Sequence, residues 1–215
     1  MKHGQKGFTL VEIAIVLVII GLLLGGILKG QEMITQAKIK NVTADFSGIS
    51  AAYYGYQDRY RAIPGDDPQA DTRWSGATKG DGNGRVGGTY NNGGAACVAT
   101  AEACSWWDHL RRAGFVAGNG VAQPFNAVTG ILGVQTGDAA GGTVLGGFGG
   151  LIICSAGLPD KIAIAVDTQM DDGLVGTGTV RGQLGSTPNP TINAAADASA
   201  YAETGTNVYV LCRAL

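Results

Sequence analysis

One carboxylate stands inside the most apolar stretch of the chain. Residues 8–28 are apolar except for Thr9 and Glu12. A charge in a membrane-spanning helix costs about 2.5–3.5 kcal/mol at the helix centre and less near an end, so it marks a function and needs a partner. A free amino group at Phe8 of another copy would supply that partner and fix the stagger between packed helices. The alternative is a plain single-pass anchor with Glu12 near the cytoplasmic interface.

The same stretch is long enough to cross a bilayer. A helix rises about 1.5 Å per residue, which makes the stretch roughly 30 Å long, the thickness of the hydrocarbon core. The seven residues before it are polar and include Lys2 and Lys6, which favours a cytoplasmic start. No A-x-A cleavage site follows the apolar run, so we expect the helix to be retained in the mature protein.

Four cysteines offer a second kind of chemistry. None of the pairs has the C-x-x-C spacing of a zinc ribbon or a thioredoxin-like site, and an exported chain favours disulfides. We expect Cys97 to pair locally with Cys104, and Cys154 to pair over a long range with Cys212. The sequence alone permits three connectivities, and four free buried thiols are the other possibility.

Two further residue groups raise the question of a catalytic or metal site. His109 would be the only histidine left once a leader carrying His3 is removed, and no G-x-S-x-G nucleophile elbow accompanies it, so we predict no catalytic set and no enzyme. Asp81 and Asn83 are spaced like the start of a calcium loop, but Arg85 stands where an EF-hand needs an oxygen ligand. We therefore expect a plain Asn-Gly/Asp-Gly turn and no cofactor, with calcium as the alternative. Asp171-Asp172-Gly173 poses the same choice.

The residues around Glu12 resemble a known processing site. Lys6-Gly7-Phe8-Thr9-Leu10-Val11-Glu12 is similar to the prepilin cleavage motif of type IV pilins and type II secretion pseudopilins. The resemblance implies that prepilin peptidase cuts between Gly7 and Phe8, that the new Phe8 nitrogen is methylated, and that Glu12 is the acidic residue used in assembly. It also implies an inner-membrane subunit, handled by a platform protein and an ATPase, that polymerises into an extracellular pilus or a periplasmic pseudopilus.

A looser resemblance extends into the rest of the chain. A Pro-Gly-Asp turn at residues 64–66, the aromatic segment Trp106–Leu110 with Ala113-Gly114-Phe115 after it, and Asp171-Asp172-Gly173 are similar to blocks in one group of bacterial prepilin-like proteins. The likeness covers scattered blocks only.

The helix that carries Glu12 continues beyond the apolar stretch. The residues Val42, Phe46, Ile49, Tyr53, Tyr56 and Tyr60 recur at intervals of four and three, which predicts one amphipathic face and a helix that ends before Pro64. Together with the family resemblance this predicts an α+β pilin-like fold, a long helix packed on an antiparallel sheet. We expect a leader at 1–7, a transmembrane and filament-core helix at 8–30, its amphipathic half at 31–62 and a globular head at 63–215.

Within the head, residues 150–154, 161–167 and 207–212 are short β-branched runs bounded by Gly, Pro or Asn, and they predict strands. For 161–170 a short helix is the alternative. Trp106–Phe115 predicts a short helix that fills the core. The segments 129–150 and 185–204 predict long surface loops.

Composition narrows the function classes further. The chain has 215 residues, only 15% of them charged, and 36 glycines, which is typical of one loop-rich, secreted domain with an appendage. Without the leader, 13 basic residues face 17 acidic ones, so we predict no nucleic-acid partner, and DNA uptake would need a basic patch. A pilus subunit is the favoured function. A type II secretion pseudopilin and a membrane-tethered periplasmic binding protein or enzyme are the alternatives.

Overall fold

The computed structural model describes residues 9–92, 100–137, 144–185, 187, 189–192, 195 and 200–215. In chain order its elements are α1 (Leu10–Tyr60), α2 (Ala70–Arg73), α3 (Glu102–Arg112), β1 (Leu132–Thr136), β2 (Leu151–Pro159), α4 (Asp160–Met170), β3 (Val180–Gly185) and β4 (Val208–Ala214). The predicted α+β class, with a long N-terminal helix and an antiparallel sheet, is confirmed.

The chain divides into two compact units, which meet between Ala37 and Lys38. In the first unit the described residues belong to α1 or precede it, and none of them is buried. The second unit holds the remainder of α1 and every other element, and it has its own hydrophobic core. From here on we call this second unit, Lys38–Leu215, the head, so that it includes the end of α1 as well as the predicted globular part.

The part of α1 within the head buries the predicted stripe. Five of the six predicted residues are buried, as the four-and-three spacing requires of one helical face: Val42, Phe46, Ile49, Tyr53 and Tyr56. Tyr60, at the end of the helix, is only half-buried against the same core. The helix ends where Arg61 adopts a positive φ of 54°, while its N–H still donates to the Gln57 carbonyl at 2.8 Å. The predicted end before Pro64 is therefore confirmed.

The four described strands form one antiparallel sheet in the order β1-β2-β4-β3. Alternate residues of β2 and β4 face opposite sides, so the sheet carries a core on each face. One face packs with α1, α3 and α4 through side chains that include Ile153 and Leu211. The other face packs Cys154 and Cys212 among Tyr90, Val144, Leu145, Phe148 and Ile192.

Several expectations for the head need correction. Residues 161–167 are not a strand but part of α4, because Ile162, Ala163 and Val166 fall on one helical face and are buried. The alternative prediction of a short helix at 161–170 is therefore confirmed. The expected loop 129–150 contains β1, whose five residues are all buried. Strand β3 was not predicted. Both missed strands contain glycines, which lower the strand signal, yet Gly133 lies where a Cβ would stand 1.9 Å from the Tyr90 carbonyl oxygen.

The predicted aromatic helix is present with shifted ends. It runs over Glu102–Arg112 instead of 106–115, and Trp106, Trp107 and Leu110 are fully buried, as expected of a core-filling helix. Gly114 has a φ of 81°, which ends the helix just beyond Ala113.

Candidate functional site

The first turn of α1 is closed by a reciprocal capping box between Thr9 and Glu12. Oε2 of Glu12 accepts hydrogen bonds from the Thr9 backbone N–H and from the Thr9 hydroxyl, both at 2.8 Å. In return, the Glu12 N–H donates to Thr9 Oγ1 at 3.3 Å. A Thr at the cap and a Glu three residues later satisfy two of the free N–H groups at a helix start. Thr9 and Glu12 thus fix where α1 begins, and the sequence analysis missed this role of Thr9.

Around Glu12 the helix surface is apolar on every side. The large hydrophobic side chains between Leu10 and Leu28 are 46–91% exposed. Within the described residues, α1 is the helix long and apolar enough to cross a membrane, and the apolar window that qualifies it has no buried residue. The first ion pair after the apolar run joins Lys29 Nζ to Glu32 Oε2 at 2.8 Å. The carboxylate of Glu12 is therefore surrounded by the exposed apolar side chains of residues 10–28, a stretch of about 19 residues.

The processing residues Gly7 and Phe8 lie outside the described residues. The cleavage between them and the methylation of Phe8 accordingly remain predictions.

The candidate calcium residues Asp81 and Asn83 form a hydrogen-bonded turn. Oδ1 of Asp81 accepts the Asn83 N–H at 3.0 Å, and Oδ2 accepts the Asn83 side-chain amide at 2.8 Å. Oδ1 of Asn83 in turn accepts the Arg85 N–H at 2.8 Å. These are the local side-chain-to-backbone bonds typical of Asx turns. The oxygen that Asn83 would offer a cation already accepts a hydrogen bond in this turn.

Two groups of carboxylates gather in the head. Oxygens of Asp66, Asp81 and Glu102 lie within 4.8 Å of one another, and so do oxygens of Asp167, Asp171 and Asp172. Sequence spacing did not identify Asp66 or Glu102, because they come from distant segments that only the fold brings to Asp81. Asp167 lies only four residues before Asp171, and the sequence analysis did not connect it with Asp171 and Asp172. The Pro-Gly-Asp turn at Asp66 was the one available signal.

Backbone N–H groups already surround the buried member of the first group. The Asp66 carboxylate accepts hydrogen bonds from Gly82 at 2.6 Å, Asn83 at 3.1 Å and Gly84 at 2.7 Å. Burial raises the pKa of Asp66, the Asp81 carboxyl beside it adds to the rise, and the three N–H groups oppose it. Asp66 therefore organises the glycine-rich loop around a single carboxylate.

In the second group, burial raises the pKa of Asp167 to about 6, and the neighbouring Asp172 and Asp171 carboxylates add to the rise. The Tyr201 hydroxyl donates to Asp167 at 2.5 Å and opposes the shift.

His109 is buried and bonded through both ring nitrogens. Nδ1 accepts the Gly65 N–H at 2.9 Å, and Nε2 lies 2.7 Å from the Thr78 carbonyl oxygen. The adjacent Asp108 pairs with Arg112 at 2.6 Å. With both nitrogens engaged by backbone groups, the imidazole ties residues 65 and 78 to α3.

Three of the four cysteines, Cys104, Cys154 and Cys212, lie within the described residues. Cys154 and Cys212 form a disulfide, with Cα atoms 4.0 Å apart at directly paired positions of β2 and β4. This is the long-range pairing favoured from the sequence. Cys104 is also disulfide-bonded, whereas Cys97, its expected partner, lies outside the described residues.

Comparison with known proteins adds one finding at the N-terminus. The family model described as the prokaryotic N-terminal methylation motif matches residues 2–28 of the chain. A search of curated proteins gave no significant match. The motif covers the expected processing site, the capping box and the whole apolar stretch.

Proposed function

We propose that this chain, which carries the N-terminal methylation signature of type IV pilins and pseudopilins, is a structural subunit that assembles through α1 into a helical filament. The observation that carries the proposal is the uncovered apolar surface of residues 10–28, with the single carboxylate of Glu12 inside it. Covering a large apolar side chain gains about 1.5–3 kcal/mol, so covering this stretch gains on the order of 20 kcal/mol. That exceeds the net stability of most domains, about 5–15 kcal/mol, so lipid or other copies must cover it.

Glu12 distinguishes assembly from simple anchoring. A membrane anchor gains nothing from a buried carboxylate, whereas a filament can pair it with a cation of the neighbouring copy. We propose that prepilin peptidase hydrolyses the bond between Gly7 and Phe8 and that the Phe8 nitrogen is methylated. The Phe8 ammonium of the preceding subunit then neutralises Glu12 in the filament core.

The capping box is compatible with this pairing. The hydrogen bonds from Thr9 converge on Oε2, so Oε1 of Glu12 can accept the ammonium without loss of the cap. A methylated ammonium still carries N–H donors, and a charge-assisted bond to a carboxylate is stronger than one between neutral groups. Thr9 then holds the carboxylate in one orientation for the incoming N-terminus.

The proposed location follows from the sequence of steps. Before assembly the subunit crosses the inner membrane once, with the leader in the cytoplasm and the head on the other side. An inner-membrane platform protein and its ATPase move it from lipid into the filament. We propose an extracellular pilus as the product, and the periplasmic pseudopilus of a type II secretion system as the alternative.

The decisive experiment is intact-mass analysis of the protein from its native membrane, together with electron microscopy of sheared and periplasmic fractions. The proposal predicts a mature chain that begins at Phe8 and carries one added methyl group, present in surface filaments. Filaments confined to the periplasm would favour the pseudopilus. An intact Met1 start without filaments would favour a membrane-tethered binding protein or enzyme and overturn the proposal.

A further inference from the structure

The side chain of His109 forms hydrogen bonds with both ends of the loop between α1 and the glycine-rich turn. It lies on α3 and is fully buried. Because the Gly65 N–H can only donate, Nδ1 must accept, and the ring proton of the neutral form lies on Nε2, facing the Thr78 carbonyl. We call residues 65–78, which include α2, the clasp.

The clasp is bound to the head at a second point that does not involve His109. Asp67 in the clasp is fully buried and accepts the Tyr56 hydroxyl of α1 at 2.6 Å. Arg73, also in the clasp, donates to both oxygens of Asp67, one of them at 2.9 Å. The clasp thus holds its own ion pair against α1. On the side of α3, His109 bonds its two ends, and Arg112 donates to the Ser75 and Gly76 carbonyls.

A proton on Nδ1 would break one of these attachments. An imidazolium has two N–H donors and no acceptor, so it would set its Nδ1–H against the Gly65 N–H. An unpaired buried donor costs about 1–3 kcal/mol, and more when a charge is involved. The neutral ring fits the site and the protonated ring does not.

The two carboxylates that face the ring compensate a new charge only in part, because each already has a cation partner. The charged groups that face His109 are Asp67 and Arg73 of the clasp and Asp108 of α3, and Tyr56 of α1 stacks on the ring at 6.3 Å. Asp67 is already paired with Arg73, and Asp108 with Arg112. Burial lowers the pKa of His109, the bond to Thr78 and the two carboxylates partly oppose the shift, and Arg73 adds to it.

We propose that His109 is an acid-sensitive latch, which holds the clasp closed while the imidazole is neutral and releases it when the imidazole is protonated.

The pH range follows from linkage. In the open state the ring is exposed and has the ordinary histidine pKa of about 6.5. In the closed state the pKa of His109 is lower because the ring is buried. The latch reaches full strength about one pH unit above the pKa of the open state. Below it, the open fraction of the clasp increases by up to about tenfold per pH unit, until the closed form also titrates.

Hydrogen–deuterium exchange of the full chain in detergent micelles, read by mass spectrometry between pH 7.5 and 5, tests the latch. After correction for the intrinsic exchange rate, protection in residues 65–78 should fall by up to about fivefold from pH 6.5 to 5.5, because the ring of the open form is already half protonated at pH 6.5. Peptides from β2 and β4, which the Cys154–Cys212 disulfide joins, serve as the internal control and should not change.

Two further measurements separate the latch from a general effect of acid. In a His3→Gln background, the remaining imidazole signal of ¹³C-histidine-labelled protein should titrate below pH 6.5, because it reports the mostly closed form, in which the pKa of His109 is lowered. A His109→Gln variant, which cannot be protonated, should lose the acid dependence. Protection of the clasp that stays constant with pH, or acid-induced opening that persists in His109→Gln, would overturn the proposal.

Discussion

Two stretches of the same helix have opposite surroundings. Between Leu10 and Leu28, large apolar side chains cover every side of α1 and all are exposed. Between Ile39 and Tyr56, a single apolar stripe is buried and polar residues occupy the other faces. Both stretches are α-helical, so they differ in what covers their side chains and not in backbone structure. The head stabilises the second stretch, whereas the first depends on lipid or on other copies.

The largest expected effect comes from truncating one side chain in each stretch. Phe46→Ala removes a fully buried ring and should lower the unfolding free energy of the head by about 3–5 kcal/mol. Leu22→Ala, the matched control in the exposed stretch, should leave it unchanged within about 0.5 kcal/mol. Urea unfolding of the full chain in micelles, followed by tryptophan fluorescence, measures both. Equal destabilisation by the two variants would mean that the stretches are not independent.

Ion pairs offer the same contrast within the head. Arg73→Met leaves Asp67 buried without its cation and should cost about 3–5 kcal/mol. Arg61→Met breaks a pair with Asp58 in which both side chains are more than 80% exposed, and it should cost at most about 1 kcal/mol. Thermal melting of the two variants provides the comparison. A large loss in Arg61→Met would contradict the assigned burial.

The disulfide tests whether the head depends on its last strand. β4 lies between β2 and β3, so the described contact of β3 with the sheet runs through β4. Replacing Cys154 and Cys212 together by Ala should lower head stability by about 2–5 kcal/mol. Membrane insertion through residues 10–28 should be unaffected, and alkaline extraction of membranes checks this. A variant that no longer fractionates with the membrane would contradict the division of the chain into two independent units.

The smallest expected effect concerns calcium. The side-chain oxygen of Asn83 already accepts the Arg85 N–H, and the Asp66 carboxylate already accepts backbone N–H groups. We therefore expect calcium to leave the melting temperature unchanged. Calorimetric titration and thermal melting with calcium or chelator measure this. A calcium-dependent increase in melting temperature that Asp81→Asn abolishes would instead place a cation in the carboxylate group.

The sequence predicted best where the pattern is local and periodic. The stripe from Val42 to Tyr56 repeats every three or four residues, so both the helix and its buried face could be predicted. The membrane-spanning stretch could be predicted from the length of the apolar run, and Glu12 was identified as the charged residue within it. A short core-filling helix in the aromatic segment was also predicted, although its ends lie four and three residues earlier than expected.

The sequence predicted least where distant segments meet. Residues 161–167 have the composition of a strand, but they form part of α4 because a helix buries their apolar side chains on one face. β1 was hidden by its glycine-rich flanks, and the sheet partner that stabilises it is β2. Asp66 and Glu102 join Asp81 only in the folded chain, and the two backbone partners of His109 lie 44 and 31 positions away from it.

The most direct test of the central claim is filament assembly by a Glu12→Gln variant beside a Glu32→Gln control. Both residues lie on α1, but Glu32 follows the apolar stretch and pairs with Lys29 of its own chain. With equal amounts of protein in the membrane, Glu12→Gln should abolish filaments, because the neighbouring N-terminus loses its countercharge, and Glu32→Gln should retain them. Normal filaments from Glu12→Gln would contradict the proposal that this carboxylate joins one subunit to the next.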